Sequence, residues 1–342
     1  MKQNKIICFG EIMLRLTPAY SFERLEQTDL LRMSFAGAES NIATSLAIFQ
    51  HDVSFVSILP DNPIGNAAIN ILRRYGVDTT HIIREGNRIG TYFIEAGTSV
   101  RPTQVIYDRA DSAFSFIKPG QIHWEEVLKD AEYFVLTGIT PALSDSCTAA
   151  ALEAMKIAQK MKVKVCFDFN YRSKLWSRQK AGEVLSAFIE YVNILFCNEG
   201  AAFDILGIDL TALKNKNTPH EQLYSFLAKE IAAKGNYDFI ALTHRDHHSA
   251  SDNTWSGVLY NNQEAFYSKQ YELKIIDRLG GGDAFAAGII HGISQGWNNA
   301  KTIEFATIAA AIKHTLPGDL NIVSEKEILH VMENDSTGHI LR

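Results

Sequence analysis

At 342 residues the chain can bury a substantial core, as one large α/β domain or two smaller ones. A net charge of -6 with a pI near 6.0 argues against a strongly basic face for nucleic acid. With 46% hydrophobic and 21% charged residues it has the make-up of a soluble globular enzyme, and no apolar run is long enough to span a bilayer.

Ile6, Ile7, Cys8 and Phe9 form a continuous apolar run ending at Gly10, the pattern of a buried parallel strand. Residues 11–35 are less regular, with alternation around 12–16. Ile42, Leu46, Ala47 and Phe49 recur at helical spacing and predict a helix from Ser40. A strand at 53–59 and a helix at 63–75 follow, the helix stopped by Gly76. The texture then changes. Residues 89–117 alternate in the β manner around Gly97 and Pro102, and read as a hairpin outside the main sheet that pairs with 12–35. Beyond it, strands at 133–137, 163–169 and 194–197 alternate with helices at 144–161 and 179–191. A helix at 219–234, a strand at 239–243 and two β segments within 254–272 come next. A glycine-led helix, a helix at about 299–315 and a short helix behind the capping box Ser324 to Glu327 complete the chain.

Repeated strand–helix units imply a mainly parallel sheet with helices on both faces and a site at the strand C-terminal ends. No repeat, low-complexity tract or Pro/Ser-rich linker divides the sequence. The reading is one domain over 1–342, with a small β lid from about 12–35 and 89–117. Cys8, Cys147, Cys166 and Cys197 stand far apart without a CxxC pair, so neither zinc nor redox chemistry is indicated. Residues 1–5 carry no signal-like apolar segment, which points to the cytoplasm.

The chemistry concentrates in 277–288. Gly280, Gly281 and Gly282 end a loop, Asp283 follows, and an Ala-rich apolar run begins a helix. Free amides and the helix dipole at such an N-terminus favour an anion, and bare glycines let it come close. A carboxylate at that spot is electrostatically wasteful unless it takes a proton from the group being phosphorylated. Asp also caps helices, so the stretch alone is compatible with either role. It is not a Walker A loop, since no Gly-Lys-Ser/Thr follows. Phe285 stands where the dinucleotide fingerprint would need glycine. A second glycine site, Gly37 to Asn41, opens the first long helix. Alone it reads as an ordinary loop, although Asn41 offers donors and acceptors to a polyol.

Together the two stretches resemble the PfkB, or ribokinase-like, family of carbohydrate kinases over essentially the full chain. Asp277, Gly280, Gly282 and Asp283 match the late Asp-x-x-Gly-x-Gly-Asp signature. Gly37 and Asn41 match the early Gly-Gly-x-x-x-Asn signature, with Ala38 at the second glycine. The resemblance implies a three-layer α/β/α sandwich with a β lid, ATP as donor and Mg²⁺ as helper; a monovalent cation is left open. It also implies Asp283 as general base and the amides of Gly280 to Asp283 as anion hole. Phosphoryl transfer asks mainly for this positioning and charge stabilisation.

Neutral-sugar members carry an Asp a few residues after Gly10-Glu11, where this chain has Arg15. The runs Tyr107-Asp108-Arg109 and Asp168-Phe169-Asn170-Tyr171-Arg172 resemble the 2-keto-3-deoxygluconate kinase branch, whose tyrosines and arginines bind an acidic sugar. An arginine fork suits a carboxylate. Arg172 and Arg109 are therefore assigned to the substrate carboxylate, Tyr92 and Tyr107 to the lid side, Gly37 to backbone contact and Asp319 to a polar position nearby. Lys313 and His314 flank the adenine pocket or act as helix C-terminal cations. His244, His247 and His248, with Asp246, read as a nucleotide-site loop in preference to a metal cluster.

Two departures stand out. The family's Asn-x-x-Glu motif begins at Asn198 but has Ala201 for its Glu, leaving Glu199, or a water, to serve Mg²⁺. Thr243 opens a motif that continues to Gly in the family, where Arg245 stands here and could reach nucleotide phosphates. The sequence thus reads as a kinase of the C6 hydroxyl of 2-keto-3-deoxygluconate. The alternatives are a kinase of a neutral ketose such as fructose and a non-catalytic sugar-binding protein. The partners are a small acidic sugar and ATP, without nucleic acid or membrane, in a homo-oligomer.

Overall fold

The computed structural model describes residues 5–216 and 218–334, so the reading of residues 1–4 lies outside the described residues. In chain order the strands are β1 (Lys5–Phe9), β2 (Met13–Pro18), β3 (Leu31–Ala36), β4 (Asp52–Leu59), β5 (Ile82–Arg84), β6 (Thr91–Glu95) and β7 (Gln104–Asp108). They continue as β8 (Ala131–Thr137), β9 (Lys164–Asp168), β10 (Ile194–Asn198), β11 (Phe239–His247), β12 (Asp252–Tyr260), β13 (Ala265–Tyr267) and β14 (Tyr271–Lys274). The large sheet runs β13-β12-β11-β10-β9-β8-β1-β4-β5, with β14 also on β12. From β5 to β11 every pairing is parallel; β12, β13 and β14 join antiparallel.

The central strand explains the layering. Ile7 and Phe9 point into one apolar layer with the helices Asp145–Lys160 and Arg178–Ile189; Ile6 and Cys8 point into the other with Ala38–Ile48, Gly281–Ser294 and Asn299–His314. A strand apolar on both faces can only be buried on both faces, which is the three-layer arrangement. Phe9 anchors its layer against the rings of Phe114, Trp124 and Phe134.

A separate four-stranded sheet, ordered β3-β2-β6-β7, contains the expected hairpin. The hairpin joins β2 in parallel, so that Ser34, Arg15, Tyr92 and Tyr107 stand in one row. The small sheet ends sooner than the sequence indicated. Residues after Asp108 return to the main body because Phe114 and Ile117 are apolar and bury there. β11 also runs four residues past Thr243, since Arg245, Asp246 and His247 pair with Trp255, Thr254 and Asn253 of β12. The expected two β segments after 254 are three strands.

The parallel strands all end on one side of the sheet. Register aligns Thr137 with Asp168 and Asn198 with Thr243, which places these polar residues along one rim.

Candidate active site

The helix Gly281–Ser294 starts on Gly280, whose φ of 79° and ψ of -3° are left-handed, and a Cβ there would collide with the carbonyl of Asp319. Gly282 differs. A Cβ on it meets no protein atom within 4 Å, so the bare position faces open cleft. No side chain caps this helix, which leaves its first amides unpaired within the helix and turned to the cleft. Asp283 is therefore not the cap. It sits in the first turn, 8% exposed, with its carboxyl directed elsewhere.

That carboxyl meets the other glycine stretch. Asn41 Nδ2 donates to Asp283 Oδ2 at 2.7 Å, while Asn41 Oδ1 accepts from Gly37 N at 3.4 Å. Asn41, expected to offer its amide to a polyol, spends it on Asp283. Gly37 caps the helix Ala38–Ile48, and a Cβ on it would strike the Glu11 carbonyl, so this glycine serves close packing of the helix mouth on the first strand's loop. Burial pushes the Asp283 carboxyl up to about 8; Asp168 and Asp319 add to the rise, while Asn41 and the Arg172 charge oppose it. Asp168, at the end of β9, is held by the Asn170 amide at 3.0 Å and pushed up to about 6 by burial.

The residues assigned to an acidic substrate separate into two groups. Arg172 is exposed and lines the same cleft as Asp168 and Asp283. Arg109 is buried and already paired: its guanidinium binds Glu11 and lies 5.6 Å from the Tyr107 ring centre. Tyr92 donates to Asp319 Oδ2 at 3.1 Å and stands 6.1 Å from Tyr107, which is half-exposed. Sequence reasoning missed what holds Asp319. Arg15 pairs with it and, at 2.5 Å, with Asp277. The signal is the cation at position 15, where neutral-sugar members of the family carry an Asp.

The cleft has a volume of about 740 Å³ and takes in Asn198, Thr243, Arg245, Gly280, Gly282 and Asp283. Asn198 caps the helix Glu199–Leu206, its Oδ1 accepting from Ala201 N at 2.9 Å. Glu199 is paired with Lys214 at 2.5 Å. Arg245 lies 4.9 Å above the centre of its cross-strand neighbour Trp255, and Nη2 donates to His314 Nε2 at 2.6 Å. The other ring nitrogen of His314 is 2.6 Å from the Ala310 carbonyl, which fixes a neutral tautomer with Nδ1 protonated. Burial drives that imidazole down to about 3 and Arg245 down to about 10. His314 is thus a buried support, neither surface cation nor free nucleotide contact. His244 is held by the Tyr224 hydroxyl at 2.6 Å and by Asp246 at 3.0 Å, and among the described residues no group of three or more His, Cys, Asp or Glu is placed to hold a metal.

An unpaired anion-seeking turn, a buried carboxyl oriented by an amide and a cation-lined cleft form one arrangement. It can draw a proton from an alcohol while amides receive a phosphoryl group. The comparisons point to a carbohydrate kinase. The family described as pfkB family carbohydrate kinase matches residues 3–326. The 2-dehydro-3-deoxygalactonokinase of Haloferax volcanii is 30% identical over 335 residues, 98% of each chain. The crystal structure of a 2-dehydro-3-deoxygluconokinase from Thermotoga maritima superposes with a TM-score of 0.93 at 41% identity, covering 97% of this chain and 100% of that one. A PfkB family carbohydrate kinase from Listeria grayi gives 0.89 at 31%, covering 97% and 100%.

Proposed function

The chain belongs to the pfkB family of carbohydrate kinases, and we propose that it transfers the γ-phosphoryl group of ATP to the C6 hydroxyl of 2-keto-3-deoxygluconate. The observation that carries this reading is the placement of Asp283, oriented by Asn41 at the mouth of the glycine turn, with Arg172 in the same cleft. The mechanism follows from those positions. The sugar's primary hydroxyl approaches Asp283, which takes its proton as the oxygen attacks phosphorus in line. The amides of Gly280 to Asp283 receive the charge that gathers on the transferring group. Arg172 meets the sugar carboxylate with its free guanidinium. Arg109, its charge answered by Glu11, orients Tyr107 at the lid side, with Tyr92 and Asp319 behind, and Gly37 supplies backbone contact.

On the donor side Asn198, Thr243 and Arg245 line the path of the phosphates. Carboxylates lining that cleft include Asp168, Glu199 and Asp204; they form no three-ligand cluster, but Mg²⁺ asks for only one or two carboxylates and keeps its waters. Glu199 through water, or Asp168 directly, would hold the ion, which when bound would neutralise phosphate charge. The described chain works as one kinase domain, with the four-stranded sheet closing over the sugar. The uncovered edge strands β3 and β7 support a homo-oligomer.

A second reading concerns C4 alone: the Haloferax volcanii relative is named for the galactonate series and the Thermotoga maritima one for the gluconate series. An ADP-release screen over 2-keto-3-deoxygluconate, its C4 epimer, fructose and ribose tests both. Preference for the gluconate compound supports the proposal, and preference for the epimer transfers it to the second reading. Fructose as best acceptor, or no ADP from any sugar, overturns it.

A further inference from the structure

Lys313 is fully buried, and the mechanism above does not use it. A lysine with no exposed surface is uncommon, and it is tolerated where its ammonium is met by acceptors. The acceptors here are backbone carbonyls. Nζ donates to the carbonyl of Asp277 at 3.2 Å and to that of Leu316 at 3.4 Å. Asp277 opens the glycine turn, and its carboxyl accepts from the amides of Leu279 and Gly318. Leu316 begins the facing loop, whose Asp319 carbonyl lies against Gly280. The ammonium therefore joins, from behind, the two segments that frame the anion-seeking turn. Burial lowers the pKa of the ammonium and Arg15 adds to that, while Asp277, Asp319 and Asp283 oppose it.

A set of carbonyl oxygens turned inward around one positive charge is also what a dehydrated potassium ion requires. Ammonium and potassium are of similar size, and a tethered ammonium needs no recruitment from solution. We infer that Lys313 is a built-in monovalent cation that holds the glycine turn in shape, so that this enzyme needs no potassium or sodium ion. The carbonyls of Asp277 and Leu316 already hold Lys313, so on this inference no free monovalent cation is recruited there. The inference rests on the kinase reading only for its activity arm.

The test compares wild type with Lys313→Ala and Lys313→Met in potassium, ammonium, sodium and choline chloride at constant ionic strength. Thermal unfolding is followed without substrates, and turnover with sugar acid and ATP. For wild type the midpoint and kcat are expected to be the same in all four salts. Lys313→Ala should unfold earlier in choline and lose at least about tenfold in kcat, the scale of a lost charged hydrogen-bond donor. Potassium or ammonium, small enough to enter the vacated space, should then restore both in a saturable way, while choline should not. Lys313→Met, which refills the space with an apolar stem, should be impaired and unresponsive. A wild-type rate that climbs several-fold with potassium overturns the inference, as does a Lys313→Ala protein equally impaired in every salt. Should neither variant fold, the wild-type salt series decides alone. Because the thermal arm uses neither sugar nor ATP, failure of the kinase reading leaves it standing.

Discussion

Arg15 and Asp319 are joined across 304 residues by a buried ion pair, and the second terminal nitrogen of the same arginine reaches Asp277. One side chain of the small sheet thus meets both the residue that opens the glycine turn and the loop that supports Gly280. Three parts of the chain distant in sequence are fixed relative to one another at the place where phosphoryl transfer is proposed. Buried ion pairs add little net stability compared with apolar packing, but half of one is costly, because the partner's charge stays behind.

Arg15→Leu should therefore destabilise the protein by about 3–5 kcal/mol, the range for breaking a buried pair. Adding Asp319→Asn should recover part of that loss, since one stranded charge is then removed. Urea unfolding midpoints of the two single variants and the double measure the coupling directly. Strict additivity would show that Arg15 and Asp319 do not support each other.

Asp283 gives a pH prediction. Its folded carboxyl ionises near 8 against an ordinary value of 3.8, so the folded state keeps a proton that the unfolded chain releases. This contribution to stability is complete below the ordinary value and is lost as pH climbs toward 8. Asp283→Asn removes it, and above pH 8 should raise the midpoint of the ligand-free protein by about 3–6 °C. The same variant should lose roughly 10²–10⁴-fold in kcat, as expected for a general base. In wild type, kcat/KM should rise with pH through the ionisation of this group. An Asn variant that turns over sugar acid at the native rate removes Asp283 from catalysis.

Asn41 favours the ionised form of Asp283 by donating to it. Asn41→Ala withdraws that donor, so the ascending limb of the kcat/KM profile should move to higher pH by about one unit. A limb that stays in place while activity falls uniformly would mean that Asn41 serves the sugar, as its sequence position first indicated.

The layers of the fold were legible because they depend on local periodicity. A strand such as Ile6 to Phe9, apolar on both faces, already states that helices cover both sides. The glycine turn was legible for a similar reason, since Gly280 and Gly282 report a backbone demand. Charge partners were not. Arg109 and Arg172 look alike in sequence, yet one is matched by Glu11 and the other is free in the cleft, and only the chain's return from position 11 to 109 decides it. His314 looked like a helix-end cation and is a neutral buried support for Arg245. Lys313 gave no local sign of its burial, because its acceptors are main-chain oxygens from two other segments.

Arg172 separates acidic from neutral acceptors. It lies in the cleft beside Asp283 and Asp168 and is exposed, so its loss should leave folding nearly unchanged. Arg172→Ala should lower kcat/KM for the sugar acid by about 10–10²-fold, the worth of a charge-assisted contact, and leave any turnover of fructose almost as it was. Equal losses on both acceptors would place Arg172 on the phosphates instead.

Arg245 lies within β11, two residues after Thr243, where the resemblance leads one to expect glycine, and its setting shows a side chain held in place before any ligand arrives. Trp255 supports its face, His314 Nε2 accepts a hydrogen bond from it, and the cleft lies ahead. A guanidinium fixed in this way loses little freedom on meeting a phosphate, so its contact should act on the donor and hardly on the sugar. Arg245→Gly, which restores the family's residue, should raise KM for ATP about 10–10²-fold and change KM for the sugar acid by less than about twofold. His314→Ala should reproduce part of the effect by freeing the guanidinium, although it removes nothing from the cleft itself. Initial rates with each substrate varied in turn distinguish the cases. If Arg245→Gly binds ATP as well as wild type, the arginine merely fills the space that glycine leaves, and the donor's phosphates are held by the glycine turn and Thr243 without it.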